Sequence, residues 1–594
     1  MFVLRRERRI TSLLFLFSFV WLIWAGRLGY LQLVQGKQLA RQAVNLRSQT
    51  VILEEYPRGD ILDRQGRSLT DVSEQPGVVV FPSLMSDINE TVTSLEKVLD
   101  LPPDKLSCLA ELPARSGGQR VNTAPFVLKT RLSREELERV KALHLSGVYV
   151  LPLKMRYGPH SLATHLVGHV GQITPQQWAV LDQTGKPRAY RLGDTIGQKG
   201  IESIYESELR GVDDAASVAA LVDATGQPIA GLNLRAKTES PREGTRHHVV
   251  LTLDRDVQTI VEKVMDERVP CGAVVVLDID TRDVLAMASR PNFNQNEVAK
   301  YLREEGASEF RNRALNLYYP GSIFKLVVAA AALEEGITKL DEHFYCSGKY
   351  CFNEKLAIPC LKRTGHGNLT LLEAMAVSCN PVFIELGLRL GRDRLLAFAE
   401  KFGLGQDVLL GYPLAQGEHF EIGPHEPGRL GNASIGQEGV RLTPLQVASL
   451  LATVADGGTY APPRVVKAVL DSHGQTVSKY PSASKERVIS PATARQLQVM
   501  LEAVTKWGTG QAAWVPGGCA GKTSSAQSGR KNPTGREITD AWFAGYAPLD
   551  QPRWVVAVLV EGGSTGGKSA APVFREIVRQ MRQLPLSEDN GNRP

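Results

Sequence analysis

The sequence predicts a multidomain α/β chain: a single N-terminal transmembrane helix, a mixed α+β region, then a larger unit with a sheet flanked by helices. Three observations carry this expectation. An uncharged apolar run, ITSLLFLFSFVWLIWAG, occupies 10–26. Polar sequence with Pro241 and Gly244 interrupts the pattern at 236–246. Beyond it, strand-like segments open and close the last long stretch, with helical sequence between them. The chain of 594 residues exceeds one ordinary domain, and 43% hydrophobic with 22% charged residues is enough for large packed cores.

Arg5, Arg6, Arg8 and Arg9 precede the apolar run, and apolar sequence continues past Arg27 to Val34. A helix over 10–34 therefore spans a hydrocarbon core of about 30 Å at about 1.5 Å per residue. The arginine bias puts residues 1–9 in the cytoplasm and everything after the anchor outside. A cleaved signal peptide is the competing reading, but the run is longer and richer in Trp, Phe and Leu than a usual signal core. No second stretch is long enough to span a bilayer, so a single-pass protein is expected. The net charge of +6 is small, and no basic tract interleaved with aromatics marks a nucleic-acid surface.

A polar helix is expected over 36–48. Residues 56–69 read as strand, turn and strand around Gly59 and Gly66, and the Arg58-Gly59-Asp60 tripeptide reads as part of a turn. Between 70 and 240, short apolar pieces alternate with charged helices such as 133–143, without a catalytic constellation. Ile201, Ile204, Tyr205 and Leu209 follow a helical period after a Gly turn. Past the linker, 249–253 is a strand and 257–264 begins a helix. Residues 273–279 and 284–288 form a hairpin, 542–546 and 554–560 another, and 571–581 is a helix. The expected domains are 35–240 and 246–585, with a flexible tail at 586–594. Pairing the two ends of the second domain closes long loops, so folding should be slow.

Candidate chemistry begins at Tyr319-Pro-Gly-Ser-Ile-Phe-Lys325, which opens the apolar helix Leu326–Leu333. Ser322 and Lys325 share a helix face at i, i+3. A serine attacks only if its proton is taken, and a neutral lysine can take it. Burial among Ile323, Phe324 and Leu326, with a second cation nearby, lowers a lysine pKa. Ser94 with Lys97 and Ser482 with Lys485 have the same spacing, but neither opens an apolar helix. Ser378-Cys379-Asn380 sits at a turn between helices, where Ser378 can relay a proton and Asn380 can hold an amide. Lys522-Thr523-Ser524-Ser525 lies on an extended small-residue segment beside the last hairpin, able to offer Lys522 and Thr523 to a carboxylate.

The ordered set Ser-x-x-Lys, Ser-x-Asn and Lys-Thr-small, spaced by 56 and 144 residues, resembles the signatures of penicillin-binding proteins and serine β-lactamases. Leu251-Thr-Leu-Asp254, Met287–Phe293, Ala433-Ser-Ile-Gly-Gln437, Arg58–Arg64 and Gly200-Ile-Glu202 extend the resemblance to class B penicillin-binding proteins, the monofunctional peptidoglycan D,D-transpeptidases. The resemblance implies an elongated pedestal or dimerisation-type domain over 35–240 and a β-lactamase-like transpeptidase domain over 246–585. It implies that Ser322 attacks the D-Ala-D-Ala carbonyl of a stem peptide and Lys325 is the base. Ser378 would pass a proton to the leaving D-Ala while Asn380 holds the donor amide. Lys522 and Thr523 would bind the terminal carboxylate, and backbone N–H groups of Ser322 and Ser525 would form the oxyanion hole. β-Lactams would acylate Ser322, and a neighbouring stem's amine is the natural acceptor.

No metal or cofactor is needed for any of these steps. A polytopic glycan polymerase is the implied partner, in a bacterial cell membrane. Ser524 stands where the family usually has Gly, and it is expected to narrow the site or alter β-lactam affinity. A catalytically weak β-lactam-binding scaffold or sensor is the alternative. A β-lactamase would need a deacylating water that no sequence feature supplies.

Seven cysteines, an odd and sparse set, do not describe a disulfide scaffold. Cys346, Cys351, Cys360 and His366 fall between the first two motifs. They are compatible with zinc, with a Cys346–Cys360 disulfide of the kind seen in similar proteins, or with free thiols. The Cys379 side chain is expected to point away from Ser378 and Asn380.

Overall fold

The computed structural model describes residues 2–35, 48–53, 58–70, 73–85, 87–99, 101, 125–182, 190, 194–210, 217–221, 235–237, 246–302, 308–423, 426–531, 535 and 537–585. Phe2–Gly29 is one helix, continued by a π-helical turn at Tyr30–Val34. Leu13–Val34 has a mean hydropathy of 1.6 and buries nothing. Phe15, Trp21 and Trp24 are among its outward side chains. Water around such a surface is costly, whereas lipid is not, so this helix is a membrane anchor. The polar helix expected over 36–48 lies outside the described residues except for Ser48, which begins the strand Ser48–Ile52. The tail at 586–594 and most of the 236–246 linker lie outside them too.

Two compact units follow. The first comprises Met1–Pro57, Ser73–Arg156 and Asp213–Arg242, and the second Arg58–Val72, Tyr157–Val212 and Glu243–Pro594. In the first, Ser73–Val80 is the central strand between Phe126–Lys129 and Val148–Met155, antiparallel to both. Leu95, Leu99 and Val140 from two helices join Val78 and Val80 in one core, while Val79, Phe81, Leu153 and Met155 form another. The period-2 alternation of Val78, Val79 and Val80 therefore feeds both faces. Helix Arg134–Ala142 starts with a capping box between Ser133 and Glu136, a device worth about 1 kcal/mol.

The second unit is built on a five-stranded antiparallel sheet. Its strands in chain order are β1 (Gly272–Asp278), β2 (Val284–Arg290), β3 (Ala520–Lys531), β4 (Glu537–Ala547) and β5 (Trp554–Glu561), arranged β2-β1-β5-β4-β3. The ends of the unit meet, with Gly272 opposite Val560. Strands β1, β2 and β5 are buried almost throughout, which follows from helices on both faces. Helices Arg255–Arg268 and Ala571–Met581 cover one face. The second presents Val573, Phe574, Ile577, Val578 and Met581 at helical spacing. Helix Pro444–Ala455, buried at all twelve positions, packs on β1, β4 and β5. Strand β3 is an edge, with β4 its only neighbour in the sheet among the described residues, and this leaves one side of it open to a site.

The stretch expected as a continuous pedestal is thus divided in space, because 58–72 and 157–212 belong to the second unit. Buried charge accounts for part of that assignment. Arg58 Nε lies 3.0 Å from Glu202 Oε2, Arg58 Nη2 lies 2.8 Å from Glu206, and the Tyr157 hydroxyl donates to Glu202 at 2.9 Å. Arg58 and Glu202 are both fully buried side chains in practice, at 5% and 0% exposure. Ile61–Leu62 then pairs in parallel with His248–Leu251. The Arg58-Gly59-Asp60 tripeptide, read as part of a turn, instead pairs with neighbouring backbone as it leads into Ile61–Leu62: Arg58 bridges Arg210, the Gly59 N–H donates to the Leu209 carbonyl at 2.7 Å, and the Asp60 carbonyl accepts from the Val249 N–H at 3.0 Å.

Removing one member of a buried pair strands the other charge. Arg58→Ala is therefore expected to cost about 3–5 kcal/mol, while Arg58→Met combined with Glu202→Leu should recover most of it. Chemical unfolding of the two variants measures this. Equal losses in both would show that the pair is not what holds these segments.

Candidate active site

Ser322 lies half-buried on the turn Gly321–Ile323, which runs directly into helix α1 (Lys325–Glu334). The LVVAAAA sequence buries α1 from Lys325 to Ala332, and this takes the Lys325 ammonium out of water. Ser378 and Cys379 connect helix α2 (Leu371–Ala376) to helix α3 (Asn380–Leu390). Ser378 has φ +59°, a left-handed conformation that costs a non-glycine residue about 1 kcal/mol or more. The Ser378 and Cys379 N–H groups, donating to Met375 and Ala374 carbonyls, hold that turn.

The three sequence motifs meet at one oxygen. Lys325 Nζ donates to Asn380 Oδ1 at 2.7 Å and to the Ser378 carbonyl at 2.8 Å, and it lies 3.3 Å from Ser378 Oγ. Lys522 Nζ donates to the same Oγ at 2.9 Å and to the Thr523 carbonyl at 3.0 Å. Desolvation pulls the Lys325 pKa down to about 8, opposed only in part by the nearby Cys379 and Cys360. Ile323, Phe324 and Leu326 are all at 0% exposure, and the Phe383 ring lies 5.4 Å from Nζ. Burial also pushes Lys522 well below its ordinary range, and the Lys325 charge pushes it further. Two desolvated amines sharing one hydroxyl form a route for a proton, because each resists being charged beside the other.

Strand β3 pairs Lys522 with Ala544, Thr523 with Phe543 and Ser524 with Trp542. Lys522 and Ser524 alternate with Thr523 and Ser525 across it. Thr523 Oγ1 lies 2.6 Å from Thr509 Oγ1, and the Ser525 hydroxyl accepts from the Gly566 N–H at 3.1 Å. Ser524 is 3% exposed, and a Cβ on Gly321 would stand 2.2 Å from its hydroxyl. The side chain thus fills space against the turn that carries Ser322. Gly321 has φ +54°, and its N–H donates to the Gly436 carbonyl at 2.8 Å. This packing gives the Ala433–Gln437 motif a place beside the turn that carries Ser322. Thr509 and Gly566 went unread in the sequence because each acts only through the strand it touches.

Among the described residues the Ser524 hydroxyl has no hydrogen-bond partner, and an unmet buried hydroxyl is unfavourable by about 1–3 kcal/mol. Ser524→Ala should therefore hold or raise the unfolding midpoint and keep penicillin acylation within about threefold, well under the 1.4 kcal/mol of a tenfold change. A loss beyond tenfold would assign the hydroxyl a part in the reaction.

Cys346, Cys360, His366 and Cys379 place their donor atoms within 4.8 Å of one another, and the Cys360 Sγ to His366 Nδ1 distance is 3.6 Å. Cys379 points into this group. Cys351 is exposed and outside it; the six described cysteines are all free thiols, so Cys346 and Cys360 are not joined. Cys108 lies outside the described residues.

Residues 272–579 match the penicillin binding protein transpeptidase domain, and residues 54–245 match the penicillin-binding protein dimerisation domain. The stage V sporulation protein D of Bacillus subtilis is 32% identical, over 96% of this chain and 85% of its own. The peptidoglycan D,D-transpeptidase MrdA of Acinetobacter baumannii is 26% identical, over 96% and 87%. A solved structure described as structural coordination of polymerization and crosslinking by a peptidoglycan synthase complex contains a chain of the same fold. It has a TM-score of 0.66 and 26% identity, covering 98% of this chain and 99% of that one.

Proposed function

The chain belongs to the penicillin-binding proteins that carry a transpeptidase and a dimerisation domain, and on that premise we propose that it is a peptidoglycan D,D-transpeptidase acting through an acyl-enzyme on Ser322. The observation that carries this reading is the convergence on Ser378 Oγ of Lys522 and of Lys325, which follows Ser322 by three residues.

In the first half-reaction, neutral Lys325 takes the Ser322 proton as Oγ bonds to the carbonyl carbon of the penultimate D-Ala. Ser378 then passes a proton to the amide nitrogen, the C–N bond breaks, and D-Ala leaves. Asn380 holds the donor amide, and Thr523, Ser525 and Lys522 receive the terminal carboxylate. That carboxylate also restores the charge on Lys522, which burial otherwise disfavours. Backbone N–H groups of Ser322 and Ser525 stabilise the oxyanion, a contribution of about 3–4 kcal/mol in comparable sites. In the second half-reaction, the amine of a neighbouring stem peptide attacks the ester carbon, and its proton returns to Ser322. A β-lactam follows only the first half, which leaves Ser322 acylated.

Residues 10–34 anchor the protein with the N-terminus in the cytoplasm, as Arg5, Arg6, Arg8 and Arg9 favour. Residues 35–240 belong to the pedestal apart from 58–72 and 157–212, which group with the extracytoplasmic transpeptidase domain over 246–585. A membrane glycan polymerase is the partner of this reading, and the similar chain in a polymerisation and cross-linking complex supports it.

Incubating the full chain with lipid-linked glycan and a polymerase should release free D-Ala and form cross-linked muropeptides, both blocked by penicillin. Penicillin labelling without cross-linking would point to a scaffold, and rapid penicillin hydrolysis to a β-lactamase.

A further inference from the structure

We propose that a cavity lined by Lys199, Arg311, His169 and Phe293 binds a carboxylate of a second peptidoglycan stem peptide while another stem reacts at Ser322. The cavity encloses about 380 Å³, within the range that small-molecule sites occupy. It lies wholly in the second unit. Strand His169–Gln172 pairs antiparallel with Thr195–Lys199, and the register sets His169 opposite Lys199. Directly opposed residues present their side chains to one face, so imidazole and ammonium stand side by side. Arg311 and Asn312 reach the same cavity from just before the turn Arg313–Leu315, and Asn316 from just after it.

The lining carries one sign of charge. Lys199 and Arg311 are exposed cations, and among the described residues neither has an acidic partner. No residue lining the cavity is acidic. Glu202, whose charge reaches His169, is already held by Arg58 and by the Tyr157 hydroxyl. A concave surface of one sign focuses its field on an incoming ion of the other. His169 is 7% exposed, and its Nδ1 has no hydrogen-bond partner among the described residues. Such a nitrogen is costly to leave unmet, and a carboxylate oxygen satisfies it when it carries the proton. Burial and then the Lys199 charge hold the His169 pKa below its ordinary value, and an anion beside both residues reverses part of that. Phe293 forms an apolar wall, its ring 4.9 Å from Phe310, 5.3 Å from His165 and 5.8 Å from His169. An anion on a short aliphatic stem covers that wall, whereas a bare inorganic ion leaves it in water.

The position separates this ligand from the reacting one. Ser525 pairs with Ala541, Ala541 with Val560, Val560 with Gly272, and Gly272 with Arg290. Four strand steps of about 4.8 Å put Arg290 about 19 Å from Ser525, and Phe293 follows three residues later. An extended five-residue stem covers at most about 18 Å, so a stem ending at Ser322 falls short of a cavity beyond Arg290. The substrate is a polymer with repeated stems, each carrying carboxylates along its length, and two sites at this separation hold it at two points. The choice of a stem peptide rests on the transpeptidase reading, whereas the anion site itself does not.

The full chain in detergent, treated with penicillin so that Ser322 is closed, is titrated by calorimetry with a soluble muropeptide monomer. Whether the penicillin acylates reports on the transpeptidase reading, and the titration reports on the cavity. One muropeptide should bind per chain. Arg311→Gln and Lys199→Gln should each weaken it at least about threefold, and amidating its carboxylates at least about tenfold. Lys467→Gln, at an exposed lysine of another strand, should leave it unchanged. In the cross-linking assay with untreated chain, Arg311→Gln should raise KM about threefold or more at unchanged kcat, with penicillin acylation unaltered. No binding to the penicillin-treated chain, binding indifferent to both variants, or displacement by an equal concentration of inorganic phosphate would each overturn the site as a carboxylate site.

Discussion

Replacing Ser322 with alanine is expected to abolish covalent labelling by a fluorescent penicillin while leaving the fold unchanged. The hydroxyl sits half-buried at the head of α1, and neither Ser378 nor Ser524 can take its place. Ser378 Oγ is held between two lysines, and the Ser524 side chain is packed against Gly321. Removing the nucleophile of a comparable serine enzyme lowers turnover on the order of 10⁶-fold, far below what gel labelling detects. Stability should stay within about 0.5 kcal/mol, because alanine suits the same turn and no hydrogen bond within the core is lost. Reversible penicillin binding through Lys522, Thr523 and Ser525 should persist. Covalent labelling that survives in this variant would put the nucleophile elsewhere.

Acylation by penicillin should rise with pH through a midpoint near 8, the value to which burial lowers Lys325. The sign follows from the role: the base acts when neutral, and a lowered pKa makes the neutral form available at lower pH. At pH 7 about 9% of such a lysine is neutral, against about 0.04% at an ordinary pKa of 10.4. Below the midpoint the rate should fall about tenfold per pH unit. Lys325→Met should lose about 10²–10⁴ in acylation rate and flatten the profile across this range. Stopped-flow measurement of both chains from pH 6 to 9 tests this. A wild-type rate independent of pH would remove Lys325 as the base, whatever the fate of the variant.

Much of the architecture was legible because it is written at short range. The helix Ala571–Met581 follows from its apolar spacing alone, and the structure places it at the expected residues. The same holds for the hairpin of β1 and β2, since two short apolar runs and a five-residue connection are local properties. The N-terminal helix needed only its composition. Less legible was the second unit's recruitment of 58–72 and 157–212. The Arg58–Glu202 pair spans 144 residues, and no local period announces a partner at that range. Cys379 is a similar case. Within Ser-Cys-Asn it reads as a spacer, yet chain crossing at Gly365 brings His366 and two other thiols to it.

At the site itself, the sequence by itself determined which residues were present: a serine and lysine on one helical turn, a Ser-x-Asn turn, and a Lys-Thr strand, outside a membrane anchor. Only the tertiary structure decided that Lys325 and Lys522 share the Ser378 hydroxyl, and that Ser524 packs against the turn that carries Ser322. Residue spacing can put side chains on a common face, but charge state and contact depend on what excludes water. That exclusion comes from α1, α3 and β3, which close on one another only when the first and last strands of the sheet meet.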